Sequence, residues 1–374
     1  MFGLSNDVVL IGFGRIGFAV ALDFFNSNMQ LTVVDSDPHR LKYAVQVFGF
    51  NVLDIDASNL DELERVKRFN LAVVALPGSI AFRVLNKLVD LGLNVVDVSY
   101  FPEDPWILHE LAVERNVTLI VDAGFAPGLS NIVLGYFHSK FGGLKKARIY
   151  VGGLARDSSL PLGLVATWSV EDLIDEYIRR ARAIIGGKIV EVDPLSLTGE
   201  VTIPKLGVYE YFASDGIRTM LKTFEGVEEL IEYTLRYPGH LQIMRMLKKL
   251  GFLSDEEVLI GDFRVKLSKV LASILERKLI RDAPDRAIMY IEAESRNGVT
   301  RRYLMDVEYD YDIGLSAMGK VTGFTQSNIV KMLLNGRIQD KGLVPPELIG
   351  MNLKLYDEFM RNLGRKGIKV LEIS

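Results

Sequence analysis

The sequence contains no cysteine. This absence excludes disulfide bonds, thiolate metal ligands and a cysteine nucleophile, and it is typical of a reducing compartment, so we expect a cytoplasmic protein. Histidine is nearly as scarce, because the chain has only His39, His109, His138 and His240. The four are scattered without the spacing of metal ligands, and we therefore expect no metal site.

An excess of charge of one sign is also missing. The chain carries 44 basic and 48 acidic side chains, for a net charge of -4, which argues against a nucleic-acid partner. The longest charge-free run, residues 123–139, contains Pro127 and several glycines and falls short of a bilayer span. The first strand pattern starts within a few residues of Met1 and leaves no room for a signal peptide. We therefore expect no membrane partner.

The strongest positive signal is the stretch over residues 8–17, VVLIGFGRIG. An apolar run of strand length ends at Gly12, Gly14 and Gly17, spaced G-x-G-x-x-G, and a helical pattern follows over 18–28. In this arrangement the first glycine permits the turn, the second lets a pyrophosphate approach the backbone, and the third lets the helix pack on the strand. The free amides of the helix start also favour an anion. We predict a dinucleotide site that includes these glycines together with Phe13, Arg15 and Ile16.

A second predicted strand ends in Asp35, where this fold places an acid on the ribose 2′-hydroxyl. With Ser36 beside it and Asp37 adding negative charge, we expect NAD to bind better than NADP, although Arg40 could accept a phosphate. The alternative is a glycine-rich turn of another α/β protein, with Asp35 capping a helix.

Apolar strand patterns alternate with amphipathic stretches up to residue 122. The predicted strands cover 8–11, 31–34, 52–55, 71–76, 95–98 and 119–121, with helical patterns at 59–68 and 80–91. Strands that are apolar on both faces belong in a parallel sheet covered on both sides. We predict a Rossmann domain, a doubly wound α/β sheet, over residues 1–124.

Ligands of such sheets bind at the carboxyl ends of the strands. The loops there predict further cofactor contacts, with helix capping as the alternative for Asp56: Asp56, Ala75, Leu76, Pro77, Val98 and Ser99. Tyr100 and Asp122 would be neighbours of the nicotinamide. Asp122 could hold the substrate's ammonium or act as a base, and its alternative is a helix cap.

The pattern changes after residue 123. We predict helices over 129–141, 170–185 and 227–235, strands over 147–151, 189–192 and 207–212, and antiparallel strands over 287–295 and 300–309. This mixture predicts an α+β substrate-binding and dimerisation domain over 125–344. Residues 345–374, a helix and a short strand, are expected to pack back on the first domain. Apolar segments at 288–291 and 303–311 could form a homodimer interface, or they could lie over the domain's own core.

Several motifs resemble one family. They are DAGFAPGLSN at 122–131, VGGL at 151–154, TWSVEDLIDEY at 167–177, SDGIRT at 214–219, TLRYPGH at 234–240 and GLVPPE at 342–347. The chain resembles the saccharopine dehydrogenase (saccharopine reductase) superfamily, and more closely its L-lysine 6-dehydrogenase branch. The resemblance implies a Rossmann domain, a mixed α/β substrate domain that often dimerises, and NAD(P)-linked chemistry at an amine carbon. Saccharopine reductases usually carry an aspartate where this chain has Ala126, which favours an amine dehydrogenase.

The leading hypothesis is NAD-dependent oxidative deamination of the amino acid L-lysine. Oxidation at the ε-carbon gives an imine, and hydrolysis releases ammonia and allysine, which can cyclise to piperideine-6-carboxylate. One alternative is a reductase or dehydrogenase of the saccharopine or carboxyspermidine type. Another is a non-catalytic dinucleotide sensor.

The chemistry requires a proton-transfer group and a cation for the carboxylate. His240 could be an acid or base, or a turn histidine bonded to a carbonyl. Arg218 or Arg236 could clamp a carboxylate, with Arg218 favoured, although many arginines are solvated or structural. Other predicted substrate contacts are Thr219, Trp168 as a pocket wall, and Ser169, which could instead form a capping box with Glu171 and Asp172.

Overall fold

The computed structural model describes residues 8–166, 169–254, 256–279 and 283–373. Its α-helices are α1 (Arg15–Asn26), α2 (Pro38–Tyr43), α3 (Gly78–Asp90), α4 (His109–Glu114), α5 (Leu129–Lys140), α6 (Val170–Asp175), α7 (Met220–Thr223), α8 (His240–Lys249), α9 (Leu267–Lys278), α10 (Ala317–Leu334), α11 (Pro346–Met351) and α12 (Leu353–Arg365).

The strands are β1 (Val8–Ile11), β2 (Thr32–Asp35), β3 (Asn51–Asp54), β4 (Leu71–Val74), β5 (Asn94–Asp97), β6 (Thr118–Ile120), β7 (Leu144–Ala155), β8 (Ala181–Ile185), β9 (Lys188–Val192), β10 (Thr198–Ile203), β11 (Gly207–Ser214), β12 (Glu229–Arg236), β13 (Glu257–Ile260), β14 (Phe263–Lys266), β15 (Asp285–Ser295), β16 (Thr300–Glu308), β17 (Gly342–Leu343) and β18 (Val370–Ile373).

The chain forms two compact units. Unit 1 comprises Met1–Lys140 and Gly319–Gly367, and unit 2 comprises Phe141–Met318 and Ile368–Ser374. The chain therefore passes between units after residues 140, 318 and 367, whereas the sequence predicts domain boundaries after residues 124 and 344. Helix α5 belongs to unit 1, as do α11 and α12, but strand β18 of the same C-terminal segment belongs to unit 2.

Unit 1 contains the predicted doubly wound sheet. Its strand order is β17-β6-β5-β4-β1-β2-β3, and all of these neighbours pair in parallel. Strands β1, β2 and β4 are buried along their whole length, as expected for short apolar strands with helices on both faces. Strand β17 adds an edge strand that the sequence pattern did not indicate, and the predicted helix at 59–68 is a short 3₁₀ turn, Glu62–Val66.

Helix α10 passes through the interior of unit 1 with an unusual row of buried polar side chains. Thr325, Gln326, Ser327 and Asn328 are all buried. Gln326 Nε2 donates to the carbonyl oxygens of residues 74 and 96, at 2.8 and 2.9 Å, and so braces strands β4 and β5. Buried polar groups need partners of this kind to offset their desolvation.

Unit 2 is built on a mixed sheet with the order β10-β11-β12-β7-β15-β16-β18, and β8 joins β12 to β9. Strand β12 pairs with β7 in parallel, and the other neighbours along the main path pair antiparallel. The predicted antiparallel pair over 287–295 and 300–309 is confirmed as β15 and β16.

Two helices predicted for unit 2 are wrong. Helix α6 ends at residue 175, and the remainder of the predicted helix 170–185 includes strand β8. The predicted helix 227–235 is strand β12, a central strand of the sheet. Its charged residues Glu229, Glu232 and Arg236 recur at intervals of three and four, which resembles a helical face. Glu232 and Arg236 are in fact buried in polar networks, so their spacing does not mark a solvent-exposed stripe.

The segments predicted to form a dimer interface lie inside unit 2. Ile288 and Tyr290 belong to its hydrophobic core, and β18 pairs with residues 302–305 of β16. These strands therefore contribute to the unit's own core, as the alternative interpretation requires, and the homodimer stays a prediction.

Within the described residues, none of the helices combines the length and the apolar composition needed to cross a bilayer. The same residues contain no group of three or more His, Asp or Glu side chains placed to hold a metal ion.

Candidate active site

The glycine-rich turn leads from β1 into α1. Gly12 has a positive φ of 93°, and a Cβ there would lie 2.3 Å from the carbonyl oxygen of Ala75. A Cβ on Gly17 would lie 2.0 Å from the carbonyl oxygen of Gly12. Gly14 differs, since a Cβ at this position would have no described atom within 4 Å apart from those of its neighbours along the chain. The geometry thus gives Gly12 and Gly17 packing roles and leaves open space at Gly14.

The same turn forms the N-terminus of α1. Gly14 is the N-cap residue, and no side chain among the described residues caps the helix there. Arg15 and Ile16 form its first turn, which contains no acidic residue. Unsatisfied amides and the helix dipole suit a diphosphate at such a position, so these residues fit a dinucleotide.

Asp35, the last residue of β2, holds this turn in place. Its Oδ2 accepts a hydrogen bond from the amide of Phe13 at 2.7 Å, and its Oδ1 accepts one from the amide of Asp37 at 2.9 Å. The Arg40 guanidinium lies 3.5 Å from the carboxylates of both Asp35 and Asp37. Ser36 between them is exposed. Two carboxylates against one guanidinium leave the predicted ribose position with excess negative charge.

Asp56 after β3 is exposed and makes local bonds. Its Oδ1 accepts from the amide of Ser58 at 2.9 Å and from the Ser58 hydroxyl at 2.7 Å. These bonds stabilise the carboxylate and lower the pKa of Asp56. These bonds stabilise a local turn and do not cap a helix, because the next helical segment begins at Glu62 with Asp61 as its N-cap. The cofactor contact of Asp56 stays a prediction.

The ends of β4 and β5 are tied together. Ser99 is buried, and its hydroxyl donates to Asp97 Oδ1 at 2.6 Å while accepting from the amide of Leu76 at 3.2 Å. Asp97 Oδ2 also accepts from the amide of Ser99 at 3.0 Å. Ala75, Pro77 and Val98 flank this junction. It fixes the loops that the sheet rule places under the second half of a dinucleotide.

Tyr100 follows the same junction and is half-buried. Its carbonyl oxygen approaches the first residue of α3 so closely that a Cβ on Gly78 would lie 2.2 Å away. The backbone of Tyr100 is thereby packed against the start of α3.

The loop after β6 carries Asp122. This residue is buried and has a left-handed backbone with φ of 55°, a conformation that is costly for a residue with a side chain. The loop closes on itself, because the amide of Gly124 donates to the carbonyl oxygen of Pro127 at 3.2 Å. The Ala126–Pro127 peptide bond is cis. The left-handed conformation of Asp122 is retained only where its surroundings fix it, and it marks a functional candidate.

In unit 2, Arg236 and His240 belong to one buried network. Arg236 Nε donates to the Tyr177 hydroxyl at 2.8 Å, and its second guanidinium nitrogen donates to Glu176 at 2.7 Å. The Tyr177 hydroxyl lies 2.8 Å from His240 Nε2, and His240 Nδ1 lies 3.1 Å from the carbonyl oxygen of Leu162. A carbonyl only accepts, so Nδ1 carries the proton, and the tyrosine hydroxyl donates to Nε2.

Burial sets the charges in this network. It lowers the pKa of His240 to about 3, assisted by the positive charge of Arg236, and it raises the pKa of Tyr177 to about 12. His240 is therefore neutral near pH 7 with both ring nitrogens engaged. This geometry matches the interpretation of His240 as a turn histidine bonded to a carbonyl.

Arg218 and Thr219 are buried, and Arg218 is among the largest fully buried side chains of the described chain. The neighbouring Asp215 pairs with Arg182, whose guanidinium donates two hydrogen bonds to it at 2.8 and 2.7 Å. This bidentate pair fixes the start of the SDGIRT segment.

The Glu232 carboxylate of β12 lies against the same segment. A Cβ on Gly216 would stand 1.7 Å from Glu232 Oε1, so a larger residue there would displace the Glu232 carboxylate. The Ser214 hydroxyl donates to the same oxygen at 3.2 Å.

Ser169 is the N-cap of α6, and its hydroxyl accepts from the amide of Asp172 at 3.2 Å. The capping alternative for Ser169 is therefore what the structure contains. Trp168 lies outside the described residues.

Several polar residues of these sites were not identified from the sequence as candidates. Asp97 ends β5 as Asp35 ends β2, so the strand-end rule could have found it. Others lie inside the motif pieces, where nothing distinguished them from their neighbours: Asn131, Glu176, Tyr177 and Glu347. No sequence pattern indicated that Gln326 would be a buried polar residue.

Two protein-family models match the chain. The saccharopine dehydrogenase NADP binding domain matches residues 8–120, and the saccharopine dehydrogenase C-terminal domain matches residues 124–368. The first match identifies an NAD(P)-binding domain, and together they cover nearly the whole chain.

Individual proteins are similar as well. The chain is 26% identical to alpha-aminoadipic semialdehyde synthase of Arabidopsis thaliana, in an alignment covering 60% of this chain and only 23% of that protein. It is 23% identical to saccharopine dehydrogenase [NADP(+), L-glutamate-forming] of Pyricularia oryzae, over 98% of this chain and 99% of that one. The apo structure of saccharopine dehydrogenase (L-Glu forming) from Saccharomyces cerevisiae matches with a TM-score of 0.77 at 19% identity, covering 99% of this chain and 100% of that one. This structural likeness confirms the predicted fold.

Proposed function

Because the chain belongs to the saccharopine dehydrogenase family of oxidoreductases, we propose that it oxidises an amino-acid C–N bond, and that its substrate is the ε-amine of L-lysine. The observation that carries the choice of lysine is Ala126. The family resemblance associates saccharopine chemistry with an aspartate at this position. Without that carboxylate, ammonia is the favoured nitrogen product.

The proposed cofactor is NAD, which supplies a hydride acceptor when bound. The proposed contacts are the turn from Gly12 to Gly17, with the diphosphate over Gly14, and the loops that end β3, β4 and β5. The support for NAD over NADP is the charge at Asp35 and Asp37, which exceeds what Arg40 neutralises. A 2′-phosphate would meet like charge there, whereas a ribose hydroxyl can donate to the Asp35 carboxylate.

We assign proton transfer to Asp122, with Tyr100 beside the reacting end. Asp122 accepts a proton from the ε-ammonium, since only the neutral amine can release hydride from its carbon. The ε-carbon then loses a hydride and becomes an iminium carbon. Water adds to it and ammonia leaves, so that lysine with a neutral ε-amine, NAD⁺ and water give allysine, ammonia, NADH and one proton.

For the α-carboxylate we propose Arg218, with Thr219 beside it, in preference to Arg236. A buried guanidinium is suited to a bidentate carboxylate. Arg236 is the second candidate, and it donates to Tyr177, Glu176 and the carbonyl oxygen of Leu235. His240 is a weaker proton carrier than Asp122, because protonating it requires breaking one of its hydrogen bonds within a buried network.

The direct test is a spectrophotometric assay of NAD reduction by L-lysine, with ammonia measured in parallel. We expect NADH and ammonia in equal amounts and higher activity at alkaline pH, where more of the ε-amine is neutral, its free pKa being about 10.4. The Asp122→Asn variant should lose turnover and retain NAD binding. Absence of NADH formation with lysine would contradict the proposal.

A second candidate is saccharopine oxidation, and the names of the similar enzymes from Pyricularia oryzae and Saccharomyces cerevisiae favour it. Saccharopine and lysine should therefore be compared in the same assay. Reduction of the dinucleotide by saccharopine with release of glutamate, and none by lysine, would decide for this candidate.

A further inference from the structure

We infer that Glu347 is a positioning residue, which acts through Asn131 to hold the loop that carries Asp122. The inference rests on the proposed role of Asp122. The contacts from which it is argued all join residues of unit 1. Neither Glu347 nor Asn131 is assigned a part in proton transfer or in binding the substrate.

The first step is the link between Glu347 and Asn131. Glu347 belongs to α11 and its side chain is buried, and its Oε2 accepts a hydrogen bond from Asn131 Nδ2 at 3.1 Å. Asn131, in the first turn of α5, is buried as well. A buried carboxylate is costly to desolvate, so it is retained where the bonds it accepts are needed.

The second step links Asn131 to the loop. Its Oδ1 accepts from the amide of Gly128 at 3.0 Å and from the Ser130 hydroxyl at 3.2 Å. Gly128 has φ of 138°, and a Cβ on it would lie 2.1 Å from the carbonyl oxygen of Gly124. The Gly128 amide is therefore held where the loop closes on itself, a few residues after Asp122.

The third step is the rigidity of the platform. A Cβ on Gly135 of α5 would lie 2.0 Å from the carbonyl oxygen of Glu347, and one on Gly350 of α11 would lie 1.9 Å from that of Ile132. The backbones of the two helices are thus in close contact at the positions next to the Glu347–Asn131 bond. This contact fixes the backbone of α5, from which the Asn131 side chain extends.

The loop needs this support because of its backbone. Asp122 has a left-handed φ, and the amide of the next residue, Ala123, donates to the carbonyl oxygen of Asp97 at 2.9 Å. A residue in a strained position relaxes unless several bonds over-determine it. The hydrogen-bonded path from Glu347 to Gly128 supplies one of them from outside the loop.

The test exchanges the donor and the acceptor of the central pair. Asn131→Asp removes the amide donor and places a second carboxylate against Glu347. Adding Glu347→Gln restores a donor, since the Gln amide can donate to the new carboxylate while that carboxylate still accepts from Gly128. With lysine as substrate we expect Asn131→Asp to lower kcat roughly ten- to hundredfold with little change in KM for NAD, because a displaced reacting group affects turnover more than cofactor binding.

The double variant should recover kcat to within about threefold of the wild type, since a repair of this kind is specific to the pair. The control is Asn362→Ala, which removes another hydrogen bond of unit 1 that a side-chain amide donates, the bond from Asn362 Nδ2 to Asn328 Oδ1 at 3.2 Å. It should lower the thermal midpoint and leave kcat unchanged. An unaltered kcat in Asn131→Asp, or no recovery in the double variant, would overturn the inference.

Hydrogen exchange at residues 122–130, measured with NAD and no amine substrate, separates this inference from the proposed function. We expect faster exchange in Asn131→Asp, recovery in the double variant, and no change in this loop in Asn362→Ala. If lysine is not a substrate but the exchange pattern holds, the proposed function fails and the positioning role stands. Unchanged exchange in Asn131→Asp contradicts the positioning role whatever the substrate is.

Discussion

The polar side chains near the strand ends of unit 1 and those around His240 in unit 2 find their hydrogen-bond partners in different ways. In unit 1 the side chains of Asp35, Ser99 and Asn131 bond to backbone amides of the loops that follow the strands. In unit 2 a series of hydrogen bonds runs from Glu176 to His240 and connects side chains to one another. The first arrangement shapes loops around an open position such as Gly14. The second fills the interior of its own unit, so a polar motif there does not by itself mark a ligand site.

The largest expected effect comes from breaking the unit 2 network at Arg236. Arg236→Leu removes the guanidinium that donates to the largely buried Glu176 carboxylate, and loss of one partner of a buried pair costs up to about 3–5 kcal/mol. Urea unfolding should show this loss of stability. The matched control is Arg180→Leu, which removes an exposed ion pair with Glu191 and should cost about 0–1 kcal/mol. Equal losses in the two variants would show that the buried network contributes no more than a surface pair.

The next effect is the pH dependence of stability that His240 confers. The folded protein holds the His240 pKa at about 3, below its ordinary value of 6.5, so the unfolded chain binds the proton more readily. The stabilising contribution is complete above pH 6.5 and is lost as pH falls from there toward 3, by up to about 1.4 kcal/mol per pH unit.

Denaturation at several pH values between about 4 and 7 measures this slope. His240→Asn should flatten it, whereas the same change at the exposed His39 should not. If His240 were the proton carrier, its replacement would also remove one of the ionisations seen in the pH profile of kcat. Because we assign proton transfer to Asp122, we expect no such change in the profile.

Much of unit 1 could be predicted from the sequence, because three signals coincided there. The glycine spacing, the short apolar strands and the acid at Asp35 all follow from one fold with a known strand-end rule. Helix α10 was not predicted because its central positions, including Gln326 and Ser327, are polar yet buried. The sequence therefore shows no apolar stripe at helical spacing there.

Unit 2 was harder for a related reason. Strand β12 carries buried charges at helical intervals. Arg236 bonds to Glu176 and Tyr177, which lie 60 and 59 residues earlier in the sequence. A local pattern cannot distinguish a charge paired in the interior from one in water. The sequence therefore leaves both a chemical and a structural interpretation open for Arg236 and His240, and the structure gives each of them partners within its own unit.

Glycine substitutions sharpen the contrast between an open position and a packed one. Gly14→Ala adds a methyl group where only neighbours along the chain lie within 4 Å. It should therefore leave stability nearly unchanged while weakening NAD binding about tenfold or more, by crowding the diphosphate. Gly17→Ala should destabilise the fold, because its Cβ would lie 2.0 Å from the Gly12 carbonyl oxygen. Thermal melting and NAD titration separate the two outcomes. Full NAD affinity in Gly14→Ala would place the diphosphate elsewhere.

The smallest expected effect concerns the choice of dinucleotide. Asp35 both holds the turn through the amide of Phe13 and opposes a 2′-phosphate, so removing it mixes two effects. Asp37→Asn is the cleaner change, because it lowers the negative charge and leaves the Phe13 bond intact, and Arg40 then faces one carboxylate instead of two. We expect the wild type to prefer NAD by about tenfold or more, and Asp37→Asn to reduce that ratio severalfold through tighter NADP binding. Fluorescence titration with both dinucleotides measures the ratio. Equal affinities in the wild type would mean that Arg40, and not the two carboxylates, determines the charge at the ribose.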